Sequence, residues 1–104
     1  SSGVHGSDTS LRNKLQPLAE KYGVQLVLSG HDHDYERMTP QNGVAYVVTG
    51  GGGIGTRSVG SSSFTAFSVD VIHFVYVEVG VDELVLHAID ATGTEFDSMV
   101  VPRV

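Results

Sequence analysis

Residues 24–29 are almost continuously apolar, and this short run limits the possible folds more than any other segment. Runs of this kind are typical of strands buried on both faces of a layered α/β sheet. Upstream, Leu11, Leu15, Leu18 and Tyr22 stand three or four residues apart, which predicts an amphipathic helix. A helix that leads into a buried strand predicts an α/β fold.

The ends of the predicted helix carry residues that are typical of helix caps. Ser7, Asp8 or Ser10 can cap its start, and Gly23 suits its C-terminal end. Pro17 lies inside the helical pattern, and we expect it to kink the helix or divide it.

The rest of the chain is predicted to be mostly β-structure. A polar loop is predicted at residues 30–37 and a second buried strand at residues 44–49. Further strands are predicted at residues 64–70, 74–79, 83–89 and 96–101. Turns are predicted at residues 80–82 and 90–93, so the later strands should pair antiparallel.

Composition excludes several classes of function. The 104 residues suffice for one small domain, and six basic residues within a net charge of −6 form no stripe for nucleic acid. Cysteine is absent, and no apolar run approaches the roughly 18 residues that span a membrane. Charged residues make up only 17% against about 25% in typical domains. This deficit predicts that another part of a domain covers some of the surface.

The polar loop carries the residues with the most distinctive chemistry. His31 and His33 are two positions apart, so in an extended segment their rings point to the same side. Imidazole is the commonest protein ligand for transition metals. The loop follows a predicted strand, where ligands bind in open α/β sheets, and Gly30 permits a sharp exit. The residues alone leave two interpretations open: a metal site, or a solvated loop in which two histidines alternate.

A family resemblance extends this interpretation. Residues 29–37, SGHDHDYER, are similar to the last motif of the calcineurin-like phosphoesterases, G-H-x-H, and the Tyr-Glu-Arg extension points to the purple acid phosphatase branch. Residues 1–8, 11–28 and 90–98 also resemble segments of that family, so the resemblance covers nearly the whole chain. It implies that residues 1–104 are the C-terminal part of a four-layer α/β/β/α metallophosphoesterase sandwich.

The same resemblance implies roles for three histidines. His31 would bind one metal and His33 the other, while His5 would contact the phosphate and protonate the leaving oxygen. For His5 the alternative is an ordinary exposed loop histidine. The intact family enzyme uses two divalent or trivalent ions of the Fe, Zn or Mn type. It hydrolyses phosphomonoesters or phosphodiesters by a two-metal mechanism.

Several family motifs are absent from this chain. The D-x-H, G-D-x-x-[DY] and G-N-H motifs do not occur, and Asp32 and Asp34 match none of the missing ligands. We therefore expect a fragment of a phosphoesterase, inactive alone, that pairs with its missing N-terminal half or with another copy. Two alternatives stay open: a non-catalytic β-rich binding or assembly module of the same ancestry, and a fragment that holds a single metal ion. Secretion is common in this branch, which is compatible with an extracytoplasmic location.

Other features are expected to be structural. The glycines of residues 50–55 precede Thr56-Arg57 and lack the lysine of a phosphate-binding loop, so we expect a flexible turn. We expect Arg37 to pair with a carboxylate and Tyr35 to pack under the loop.

We also expect structural roles for the remaining histidines and for three aromatic residues. His73 and His87 are predicted to be half-buried strand residues and not metal ligands. Tyr22, Phe74 and Tyr76 are predicted to lie in the core and not to form a platform for substrate.

Overall fold

The computed structural model describes residues 1–53 and 55–103. These residues form one helix and seven strands, in agreement with the predicted α/β class. The elements are α1 (Thr9–Lys21), β1 (Leu26–Ser29), β2 (Tyr35–Met38), β3 (Ala45–Thr49), β4 (Thr65–Val69), β5 (His73–Val79), β6 (Glu83–Asp90) and β7 (Glu95–Pro102). The strands form a first sheet in the order β1-β3-β2-β4 and a second in the order β5-β6-β7.

Helix α1 begins and ends close to the predicted caps. The side chain of Asp8 accepts a hydrogen bond from the Leu11 amide at 2.9 Å, and Gly23 has a φ of +67° just beyond the helix. The helix continues through Pro17, so this residue does not divide it, and the alternative expectation of a kink stays a prediction. Proline removes one intrahelical hydrogen bond here, on an exposed part of the helix where water can replace it.

Strand β2 is a correction to the sequence analysis, which assigned residues 30–37 to a loop. It pairs antiparallel with β3 through three residues and with β4 through all four, and Tyr35 and Glu36 are fully buried. The polar residues around the two histidines hid this strand, because a buried glutamate inside a strand requires partners that no local pattern reveals. The loop proper therefore ends before Tyr35.

Strands β1 and β3 differ in burial. β3 is the buried strand that the sequence predicts, with Val47 only 1% exposed. β1 pairs parallel to β3 but lies at the edge of the sheet, and Leu28 is 47% exposed. The expectation that residues 24–29 are buried on both faces is therefore wrong, because the described residues cover this edge only in part.

The core lies between the two sheets. Tyr35 and Val47 of the first sheet form one buried cluster with Leu86 and Ala88 of the second. Half-buried side chains from both sheets pack around it: Leu26, Phe67, Val69, Val75, Val77, Phe96 and Met99. The rings of Tyr35 and Phe96 meet edge to face, with centroids 5.2 Å apart. The two sheets thus share one apolar interior.

A polar cluster crosses this core and joins the sheets. Asp97 of β7 accepts hydrogen bonds from the Tyr35 hydroxyl at 2.6 Å and from Arg37 Nε at 2.7 Å and Nη2 at 3.1 Å. Burial and the bond to Asp97 raise the pKa of Tyr35, and the bond to Asp97 raises the pKa of Arg37. Both groups therefore stay protonated as donors. The predicted pairing of Arg37 with a carboxylate is confirmed.

The outward face of the second sheet carries aromatic rings that we expected in the core. Phe74 is 56% exposed and Tyr76 is 44% exposed, while Tyr22 at the end of α1 is 70% exposed. The core prediction for these three residues is wrong, because each lies on a face that the described residues leave uncovered.

The two strand histidines differ in their surroundings. His73 is buried more deeply than expected, and its ring nitrogens meet Thr49 Oγ1 and the Val71 carbonyl, each at 2.8 Å. His87 stacks on Tyr76 and bonds to Glu78 at 2.9 Å and to Glu95. Each ring thus has structural partners.

Removal of the charge on Asp97 should weaken the contact between the two sheets. We expect Asp97→Asn to lower the free energy of unfolding by about 1–3 kcal/mol, because Tyr35 and Arg37 lose a charged acceptor. Urea denaturation measures the change. Asp82→Asn, at an exposed turn position, is the matched control and should stay within about 0.5 kcal/mol of the parent. Equal effects of the two substitutions would contradict this role for Asp97.

The stability of the second sheet should depend on pH through His87. Hydrogen bonds to Glu78, and then to Glu95, raise the pKa of His87 above its ordinary 6.5. The stabilisation is therefore complete below that value and is lost as the pH rises through the higher pKa of the folded state. Between about pH 6 and pH 9 the parent should lose thermal stability relative to His87→Gln. Parallel melting curves across this range would refute the prediction.

Candidate functional site

The histidine loop runs from Gly30 to Asp34 between β1 and β2, and it lies against the end of β3. His31 has a φ of +76°, an unusual value for a residue that is not glycine. A Cβ added to Gly50 would lie 2.0 Å from the Asp32 carbonyl oxygen. The loop thus keeps its position only because residue 50 has no side chain.

The structure brings two of the three predicted site histidines into contact. The rings of His5 and His31 stack with centroids 3.9 Å apart and an interplanar angle of 22°. His33 lies on the same loop and is half-buried, but its ring is not part of this stack. Their roles as general acid and metal ligands stay predictions.

Asp32 holds His5 in place. One carboxylate oxygen accepts the His5 amide at 2.9 Å, and the other accepts the hydroxyl of Ser1. Burial acts to raise the pKa of Asp32, but the hydrogen bonds from Ser1 and His5 outweigh burial and lower it. An ionised Asp32 therefore anchors the segment that carries His5.

Two further carboxylates, Asp34 and Glu36, follow Asp32 at alternate positions of the same segment. Glu36 is fully buried and accepts the Ser2 amide and the Thr65 hydroxyl, each at 2.6 Å. Asp34 is also fully buried, yet neither of its side-chain oxygens has a hydrogen-bond partner among the described residues. Burial, and then the charges of Asp32 and Glu36, raise the pKa of Asp34 to about 6. The N-terminal segment thus covers a row of alternating acidic side chains.

Arg57 is a site residue that the sequence analysis missed. Its Nη1 lies 2.7 Å from Nε2 of His5, and its amide donates to the His33 carbonyl at 2.8 Å. In the sequence Arg57 stands out only as a residue next to the position where a phosphate-binding loop would have lysine. A cationic side chain just after a glycine-rich segment is the signal that could have identified Arg57. Such a segment is long enough to bring the residue after it back to the histidine loop.

The donor chemistry of the site suits a transition metal, but the set of donors is small. His31 and His33 supply imidazole nitrogens, the donors that iron and zinc accept. In residues 1–53 and 55–103, no group of three or more histidine and acidic side chains is placed to hold an ion. Because such centres need about four to six donors, the described residues do not complete one.

Comparison with known proteins places this arrangement in a family context. No family model matches the chain. Tartrate-resistant acid phosphatase type 5 of Rattus norvegicus is 34% identical over 108 aligned residues, which cover 95% of this chain and 33% of that protein. The same enzyme of Homo sapiens is 32% identical with the same coverage. An uncharacterized protein of Mycobacterium tuberculosis is 44% identical over 39 residues.

Comparison with solved structures gives the same fold. The structure described as GAP50, the anchor in the inner membrane complex of Plasmodium, matches the whole of this chain with a TM-score of 0.87 at 23% identity. The match covers 33% of that chain. At this identity the likeness concerns the fold alone.

The relatives agree with the resemblance that the histidine loop carries. The resemblance to the C-terminal part of the purple acid phosphatases is confirmed, and tartrate-resistant acid phosphatase type 5 is the enzyme to which the chain is similar over nearly its full length. The chain spans about a third of the length of these relatives. The helix α1, within the described part of the chain, is too short and too polar to cross a membrane.

A methyl group at position 50 should displace the histidine loop. We expect Gly50→Ala to lower the free energy of unfolding by about 1–3 kcal/mol, because the new Cβ meets backbone atoms of Asp32 that cannot rotate away. Gly53→Ala is the matched control, since a Cβ there meets nothing within 4 Å. Chemical denaturation and the NMR shifts of the His31 and His33 rings measure both effects. A tolerated Gly50→Ala with unchanged ring shifts would contradict the packing described.

Proposed function

We propose that this chain is the C-terminal part of a metal-dependent phosphoesterase that hydrolyses phosphomonoesters or phosphodiesters. The contact between His5 and His31 is the observation that carries the proposal. These residues are 26 positions apart, and the family resemblance assigns one to the leaving oxygen and the other to a metal. Their stacked rings are as close as two groups must be to act on one phosphate.

Each histidine has a distinct role in this proposal. His31 and His33 are metal ligands, and His5 is a general acid that donates a proton to the departing alkoxide or phenoxide. When bound, the metal ions would polarise the phosphoryl group and lower the pKa of a bound water. Asp32 positions His5 through its amide and does not itself meet the substrate.

The proposal includes the remainder of the domain. The chain would contribute one outer helix and strands of both inner sheets to a four-layer α/β/β/α sandwich, and the upstream part or another copy would supply the rest. Apolar side chains support this, because Leu11, Leu15 and Leu18 of α1 are about half exposed. Phe74 and Tyr76 present a second uncovered apolar face on the other sheet. Both faces would be buried in such a sandwich.

Hydrolysis of p-nitrophenyl phosphate tests the proposal. The complete product of the gene that encodes this chain should turn over the ester after it is loaded with iron, zinc or manganese, whereas residues 1–104 alone should not. His31→Ala and His33→Ala should each reduce the bound metal and lower kcat/KM at least about 100-fold. His5→Gln should leave the metal content unchanged and lower kcat by about 10²–10⁴-fold.

One substitution far from the histidine loop is the control for these assays. His87→Gln alters a histidine on the outward face of the second sheet and should change neither metal content nor turnover. A complete gene product that binds metal but hydrolyses no phosphate ester would instead favour a non-catalytic binding or assembly module. Full activity in His31→Ala would also overturn the proposal.

A further inference from the structure

We infer that Arg57 binds the phosphate group of the substrate and makes the site prefer phosphomonoesters to phosphodiesters. The inference rests on the proposed function and assigns its substrate class. Arg57 is exposed, and no carboxylate of the described residues forms an ion pair with it. Arg37, by contrast, is bound by Asp97. The Arg57 guanidinium thus lies beside two stacked imidazoles without a carboxylate partner among the described residues, and it can bind an anionic ligand.

The backbone holds Arg57 in this position despite the glycines before it. The Arg57 amide donates to the His33 carbonyl at 2.8 Å, and the Gly60 amide donates to the Ser2 carbonyl at 3.0 Å. Between them, Val59 forms a β-bridge with Gly3. The loop is therefore fastened both to the histidine loop and to the segment that carries His5, so the three groups keep their relative positions.

The guanidinium has donors to spare for a ligand. It carries five N–H groups in a planar fork, and one of them donates from Nη1 to Nε2 of His5 at 2.7 Å. In this tautomer Nε2 is the acceptor, so Nδ1 of His5 carries the proton that the proposed general acid donates. This fork matches two oxygens of a phosphate in a bidentate pair, which a lysine ammonium cannot reproduce. The Arg57 side chain is exposed and lies beside His5, where the proposed leaving oxygen would lie.

The charge of the ester decides which substrates gain from this contact. Near neutral pH a phosphomonoester carries a charge of about −1.5 to −2 and three terminal oxygens. A phosphodiester carries one charge and two terminal oxygens, which the metal site would already engage. An additional guanidinium therefore stabilises the bound monoester more than the bound diester.

Paired substrates provide the test. Steady-state kinetics on the complete, metal-loaded gene product compares p-nitrophenyl phosphate with bis(p-nitrophenyl) phosphate. Arg57→Gln should lower kcat/KM for the monoester about 10–100-fold, mostly through KM, and change the diester less than about threefold. Arg57→Lys keeps the charge without the fork and should fall in between. Arg103→Gln is the control, since among the described residues that exposed side chain hydrogen-bonds to the Val81 carbonyl alone, at 3.4 Å.

Binding of inorganic phosphate to the chelator-washed protein separates this inference from the proposed function. Calorimetry should show affinity that Arg57→Gln weakens about tenfold or more and Arg103→Gln leaves unchanged. Phosphate affinity or a monoester preference that is the same in Arg57→Gln and the parent would overturn the inference, even if hydrolysis is present. Arg57-dependent phosphate binding without hydrolysis of either ester would instead overturn the proposed function and leave Arg57 as an anion-binding residue.

Discussion

The two sheets of this chain meet around a single carboxylate. Asp97 accepts from Tyr35 and Arg37, which lie two positions apart on β2 and so reach the same side of the first sheet. Buried hydrogen bonds to a charged acceptor are short and strong, and the acceptor would be costly to leave unpaired. Because Tyr35 follows the histidine loop directly, the bond that joins the sheets also fixes the point at which this loop ends.

A second set of polar contacts brings the start of the chain to the site. Asp32 holds the amide of His5 and the hydroxyl of Ser1, and Glu36 holds the amide of Ser2. These acidic side chains are buried, so each needs the donors that the N-terminal segment provides. The same arrangement leaves Asp34 without donors and with a raised pKa. The structure thus stabilises the position of His5 at the expense of one carboxyl that stays poorly satisfied.

Local patterns predicted much of the fold and part of the site. The helix caps, the buried strand at Ala45–Thr49 and the hairpins of the second sheet follow from short-range chemistry, which leaves a clear trace in sequence. The G-H-x-H loop could be found because its residues are contiguous. The resemblance alone suggested that His5 and His31 belong to one site, since no periodicity links positions so far apart, and it did not indicate that their rings stack.

Features that depend on tertiary neighbours were not predictable in this way. Strand β2 contains a buried glutamate whose partners are Ser2 and Thr65, both remote in sequence. Phe74 and Tyr76 have the composition of core residues, and only the assembled sheet shows that their face is uncovered. Arg57 looked ordinary because its significance comes from a backbone bond to His33 and a side-chain contact with His5.

The position of β1 at the edge of the first sheet has a consequence for how such a protein assembles. One side of β1 bonds to β3, and no strand among residues 1–53 and 55–103 pairs with the other side, so its amide and carbonyl groups are open to an extended segment that approaches. A strand that adds there in parallel must come from a distant part of a chain, because parallel neighbours require long connections. Completing that edge with such a strand would therefore be a late, slow step in folding, and until then the unpaired edge would be a template on which several chains can join.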